Sequence, residues 1–263
     1  MNSVRAAVLA WPLFAASAVT PAGAIVGGAP PAAAGAGRSV VMILGSHGTA
    51  CTATAIAPDL LLTAAHCVEP GADYKLADVS STSGKPVFKD IARIARDPQF
   101  DLKKLFAHRA TADVALAKLA QPLPAAMPPV PLDDAAEPAK AGDSFVVAGY
   151  GVTVRGDGRS GGTVRAARLV ATGRPGSLQL RLVDPQTQDH SPGLGACAGD
   201  SGAPVFRDTA GNLAIVGVVS WSTGPKLSAG CGGLTGVTPL VLYRPWIAQT
   251  ARALGATLGP NPR

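Results

Sequence analysis

The chain reads as an all-β protein that ends in one helix, and three observations point there. Short alternating or apolar runs dominate, with Gly, Pro, Asn and Asp marking the breaks between them. Leu178, Leu180 and Leu182 alternate with Gln179 and Arg181, the period of a strand with one buried face. Helical spacing is confined to residues 243–254, where Ile247 and Ala251 stand four apart.

The elements follow in order. Residues 1–24 read as an export signal: Arg5 opens a short basic start, and the run from Ala6 to Val19 is largely apolar. Pro21 breaks that run, and Ala22-Gly23-Ala24 gives the small-x-small pattern that signal peptidase cuts. A competing cut after Ala18 would leave a short propeptide. The apolar run is shorter than the roughly 20 residues of a spanning helix, so release is expected, with no stable membrane anchor. Strands are predicted at 40–44, 50–56, 87–94, 114–119 and 145–148, then at 164–170, 178–182, 204–206, 213–221 and 236–239. Residues 63–67 read as a single helical turn at a strand end. Pro122, Pro124, Pro128, Pro129 and Pro131 make 121–141 an extended connector, because proline cannot donate to a sheet ladder. It divides the exported chain into 25–130 and 131–263.

Composition excludes several functions. The formal charge of +6 comes from 23 basic and 17 acidic side chains, scattered without a long Lys/Arg run. With 5% aromatic residues as well, nucleic-acid binding is not expected. Four cysteines in an exported chain imply two disulfides, and spacing alone leaves all three pairings open. No Cys-x-x-Cys occurs, and no carboxylate loop surrounds Glu69 and Asp73, so neither a metal nor a cofactor is expected.

Chemistry concentrates in three segments: Thr63-Ala64-Ala65-His66-Cys67, Ala112-Asp113-Val114-Ala115-Leu116 and Cys197-Ala198-Gly199-Asp200-Ser201-Gly202. A hydroxyl becomes a useful nucleophile when a neighbouring imidazole takes its proton, and a carboxylate can hold that imidazole in the required tautomer. His66, Asp113 and Ser201 supply these three groups; Asp101 is the rival carboxylate, without an apolar strand immediately after it. An α/β-hydrolase esterase would need Gly-x-Ser-x-Gly, but Ala203 occupies the last place and the order is His…Asp…Ser.

These segments, in this order, resemble the trypsin/chymotrypsin family of serine endopeptidases over 25–250. The resemblance implies two packed antiparallel six-stranded β-barrels, with the active site in the cleft between them and a short C-terminal α-helix. It pairs Cys51 with Cys67 and Cys197 with Cys231. Gly199 and Ser201 become the oxyanion-hole donors, and Ser220 becomes the hydroxyl bonded to the triad carboxylate. The primary pocket falls to Gly195, Ala196, Trp221, Ser222 and Gly236. With no carboxylate at Gly195, it favours small or medium apolar side chains over Arg or Lys. Ile25-Val26-Gly27-Gly28 matches the family's processed N-terminus, whose ammonium pairs with the residue here at Asp200. The chain departs from the family pattern at Thr52, Ala53, Tyr150 and Ala203. The function implied is a monomeric secreted or periplasmic endopeptidase acting on polypeptides and open to protein protease inhibitors. The alternative is a weak or inactive homologue used as a binding module.

Overall fold

The computed structural model describes residues 25–32, 34–78, 86–135, 139–173 and 178–259; the expected export signal at 1–24 lies outside them. The first barrel contains β1 (Val40–Gly45), β2 (Ala50–Ala57), β3 (Leu60–Thr63), β4 (Tyr74–Asp78), β5 (Val87–Arg96) and β6 (Ala115–Leu119). A short helix, α1 (Leu102–Phe106), precedes β6. The second barrel contains β7 (Ser144–Gly149), β8 (Arg165–Ala171), β9 (Leu180–Val183), β10 (Pro204–Thr209), β11 (Asn212–Ser222) and β12 (Thr235–Pro239). The helix α2 (Arg244–Ala253) ends the fold.

Both barrels are closed, antiparallel and six-stranded. The first runs β1-β2-β3-β6-β5-β4 and the second β10-β11-β12-β9-β8-β7. Counted from its own first strand, each half therefore has the same neighbour order. No repeat in the sequence announces this.

Local chemistry accounts for individual elements. β10 and β11 are joined through Ala210 and Gly211, both at positive φ (52° and 89°), the two-residue turn whose twist suits a hairpin. β3 reads Leu-Leu-Leu-Thr and is buried throughout, so it shows no alternation. β9 starts later than the alternating leucines suggest: Leu178 is exposed and lies before the strand. The described part of the Pro-rich connector forms no regular strand, and Met127 N–H turns back onto the Pro124 carbonyl. Val130 donates to the Ala55 carbonyl of β2, and Leu132 makes a parallel bridge to Ile215 of β11, so this segment stitches one barrel to the other.

Each barrel has its own apolar centre, with Ile43, Leu61 and Leu76 in the first and Phe145, Leu169 and Leu182 in the second. A third cluster crosses the junction: Ile56, Leu62, Val114 and Leu116 meet Phe206, Ile215 and Val218, with Ile247 and Ala251 of α2 packed on them. Burying a side chain such as Ile247 stabilises by about 2 kcal/mol, which helps hold the two halves in one arrangement. Arg244 extends from the start of α2 to the carbonyls of Asp133 and Ala135, clamping the connector.

Candidate active site

His66 lies in a 3-10 turn, Ala65–Cys67, directly after β3, as its segment predicted. The Cys51–Cys67 disulfide ties this turn to β2. Asp113 stands just before β6 and is wholly buried. Its Oδ1 accepts the His66 backbone N–H at 3.0 Å, and its Oδ2 lies 2.8 Å from His66 Nδ1. A carboxylate at Nδ1 keeps the proton there and leaves Nε2 as the basic nitrogen. Ser220, on β11 of the other barrel, donates its hydroxyl to the same Oδ2 at 2.5 Å. The carboxylate is thus held from both halves. The rival carboxylate, Asp101, instead caps α1, accepting the N–H groups of Lys103 and Lys104.

The Ser201 loop reaches the same junction. Thr52 N–H of β2 donates to the Ser201 carbonyl at 2.8 Å, and Gly202 N–H donates to Val219 O at 2.7 Å. Gly202 has φ +78°, and a Cβ there would lie 2.1 Å from Thr63 Oγ1 and 2.9 Å from Ala64 N, so the loop abuts the segment leading into His66. Gly199, at φ +93°, approaches Gly151 so closely that a Cβ would come within 2.9 Å of its Cα. Among the described residues, the N–H groups of Asp200, Gly202 and Ala203 find acceptors within the chain, whereas those of Gly199 and Ser201 do not. Two unspent donors flank the serine.

Thr52, one of the departures from the family pattern, proves central to this loop. It is wholly buried, its hydroxyl donates to the Gly199 carbonyl at 2.8 Å, and the same oxygen accepts Tyr150 N–H at 3.0 Å. The sequence marked Thr52 only as a departure from the family pattern and gave no sign of this linkage.

Asp200 is fully buried and takes the N–H groups of Gly151 and Cys197 at 2.9 Å each, as well as that of Ile25. Burial pushes its pKa up to about 7 although these three donors pull the other way. Ile25 is itself fully buried, and Val26 pairs with Gly195. The start of the described chain is therefore folded into the wall behind the serine loop.

A pocket of about 230 Å³ opens beside Ser201. Cys197, Ala198, Trp221, Ser222, Cys231 and Arg155 contribute to its lining, and a disulfide joins Cys197 to Cys231. Of the five residues expected here, Trp221 and Ser222 line it. Gly195, Ala196 and Gly236 are not among its lining residues: Gly195 pairs with Val26, Ala196 is buried with its N–H on Thr235 Oγ1, and Gly236 lies against the Trp221 indole. Arg155 is an addition, and no motif around it singles it out. Lys226, in the loop before Cys231, is exposed and its backbone N–H donates to Asp189 Oδ1.

Cys51, His66 and Cys67 lie close enough to suggest metal ligation, but both sulfurs are spent in the disulfide and offer no thiolate. No helix among the described residues is long and apolar enough to cross a membrane.

Two closed six-stranded barrels with this strand order constitute the chymotrypsin fold. The family described as Trypsin matches residues 25–247, and the chain belongs to that family. It is 28% identical over 211 residues to human kallikrein-11 (Homo sapiens), covering 77% of this chain and 72% of that protein. It is 30% identical over 211 residues to a trypsin-like protease of Streptomyces glaucescens, covering 74% and 72% respectively.

Proposed function

We propose that this protein is an exported serine endopeptidase that cleaves polypeptides through an acyl-enzyme. The reading is carried by one observation: the buried Asp113 carboxylate binds His66 through both Nδ1 and the backbone, which makes Nε2, 3.9 Å from Cys67 Sγ, the basic nitrogen of a segment that the Ser201 loop abuts at Gly202. In this mechanism Ser201 Oγ attacks the scissile carbonyl while His66 Nε2 takes the hydroxyl proton. The carbonyl oxygen, now negative, accepts the two unspent N–H groups of Gly199 and Ser201, each worth on the order of 3 kcal/mol in the transition state. His66 returns the proton to the departing amine, and the C–N bond breaks. Water then repeats the sequence on the ester, releasing the acid and restoring Ser201. Asp113 holds the ring in place and stabilises the transient imidazolium.

The primary pocket takes small or medium apolar side chains. No carboxylate is among the described residues lining it, and a Lys or Arg side chain would be desolvated there without a partner. Export follows from the signal-like segment ending at Ala24, giving a secreted or periplasmic enzyme. The test is a peptide-library digest with purified protein alongside Ser201→Ala. Cleavage after apolar residues, abolished together with fluorophosphonate labelling in a folded Ser201→Ala protein, is expected. Normal cleavage by that variant refutes the nucleophile, and a profile dominated by Arg and Lys refutes the pocket.

A further inference from the structure

Three adjacent strands place Arg181, Gly236 and Trp221 in one row. Gly236 of β12 pairs with Arg181 of β9 on one side and with Trp221 of β11 on the other. Because the middle position has no side chain, the indole lies directly on β12: a Cβ on Gly236 would come within 2.0 Å of the Trp221 ring. The Arg181 guanidinium extends across the gap to 5.5 Å from the indole centroid, and its Nε donates to Gln179 Oε1 at 3.3 Å. Gln179 is buried, so the hand that steers the guanidinium is itself fixed.

This row lies beside the pocket that holds Ser201, because Trp221 lines that pocket. Ser220, Trp221 and Ser222 also form an open sheet edge. β10 pairs with β11 only as far as Val218, the last bonds on that side go to Val219, and β12 covers the opposite side. Among the described residues no strand covers the open side, so an extended peptide can add there as a further strand. Its side chains would alternate along Trp221 and its surroundings.

The surroundings offer donors and cations. Arg181 has no carboxylate within ion-pair distance among the described residues. The Trp221 indole N–H is buried without an acceptor, and the His108 ring stacks on the indole at 4.6 Å. Leu105 of α1 packs in the same cluster as Trp221, and its neighbours Lys103 and Lys104 are exposed. The carboxylates that immediately precede α1 and follow β9 are both engaged. Asp101 caps α1, while Asp184 is buried and takes the N–H groups of Gln186 and Leu194.

We propose that Arg181 reads a substrate carboxylate, so that the cleft selects peptides with an Asp or Glu a few residues from the scissile bond on the side that pairs with β11. A guanidinium presents paired donors that match both oxygens of a carboxylate, and holding it over an indole reduces the motion lost on binding. The primary pocket sets the residue cleaved; Arg181 sets which neighbouring sequence is accepted. This inference rests on the protease reading above.

The test uses matched peptides with Glu or Gln at each position before and after the cleavage site. At one or two positions on the β11 side, kcat/KM should favour Glu by roughly fivefold, the upper end for a partly exposed ion pair, and high salt should shrink that ratio. Arg181→Ala should bring the ratio to one, Arg181→Lys should retain part of it, and Arg181→Glu should favour Lys at the same position. Labelled peptides binding to Ser201→Ala, followed by fluorescence anisotropy, should show the same Glu-to-Gln ratio in Kd without turnover. A ratio of one at every position in the unmodified protein, or one undiminished in Arg181→Ala, overturns the proposal. If Arg181→Ala does not fold, the Lys and Glu variants decide. If no peptide is cleaved and Ser201 resists fluorophosphonate, the protease reading fails, while the Kd ratio still decides this one.

Discussion

Keeping a residue attached before Ile25 should make the protein lose stability as the pH rises, and the size of the loss follows from Asp200. In the intact chain the Ile25 nitrogen is a neutral amide that donates one hydrogen bond, and the Asp200 pKa stands at about 7 against an ordinary 3.8. Between these values the folded chain holds a proton that the unfolded chain has released. Stability contributed by the protonated acid is therefore present at low pH and lost as the pH rises toward 7. Full ionisation costs about 4 kcal/mol, of which about 3 kcal/mol falls between pH 5 and 8. For a chain of this size that corresponds to a drop of roughly 6–10 °C in Tm. On the proposed reading, cutting after Ala24 would replace the amide by an ammonium able to pair with the ionised carboxylate, which would remove the penalty. Thermal unfolding at pH 5 and pH 8 should show the drop in protein retaining Ala24 and not in protein beginning at Ile25. The retained form should also be much less active at pH 8, because the loop carrying Gly199 and Ser201 surrounds this carboxylate. Equal pH dependence in both forms, or an undiminished drop in Asp200→Asn, would refute the reasoning.

Two further outcomes are expected. Asp113→Asn removes the acceptor that fixes the His66 tautomer, and kcat should fall by about 10⁴-fold while the fold survives; steady-state kinetics and circular dichroism check this, and a loss below tenfold would remove Asp113 from its role. Thr52→Val keeps the side-chain shape but strands the Gly199 carbonyl and Tyr150 N–H, which should cost about 1–3 kcal/mol of stability. In that variant kcat should fall more than KM rises, while Thr52→Ser should recover most of both; a KM effect alone would mean that Thr52 does not act through the oxyanion loop.

What the sequence disclosed depended on how local each signal was. β11 was legible as a long unbroken apolar run, and α2 because Ile247 and Ala251 stand at helix spacing. β3 escaped because both faces of Leu60–Thr63 are buried, which erases alternation. β4 escaped because its burial pattern has a single exposed residue, Lys75, and ends on an acid. Leu178 misled in the opposite sense: alternation ran past the true strand start onto an exposed residue. At the site, His66, Asp113 and Ser201 stood out because each sits in a distinctive short segment. Thr52 did not, since its hydroxyl partners are 147 and 98 residues away. Arg181 looked like the polar face of a strand. Its meeting with Trp221 depends on the register of three strands, which no single segment encodes.

The Asp113 carboxylate is gripped by His66 from one barrel and by Ser220 from the other, while Ser201 comes from the second barrel alone. On the proposed mechanism, the enzyme then works as a logical conjunction. A half-folded chain carries a base without a nucleophile or a nucleophile without a base. Proteolytic capacity emerges only after both halves have closed on each other, so the nascent chain cannot attack its surroundings while it is still being made. A slight rotation of one barrel against the other would silence the site without unfolding either, which makes the seam between them the place where an inhibitor remote from the cleft could act.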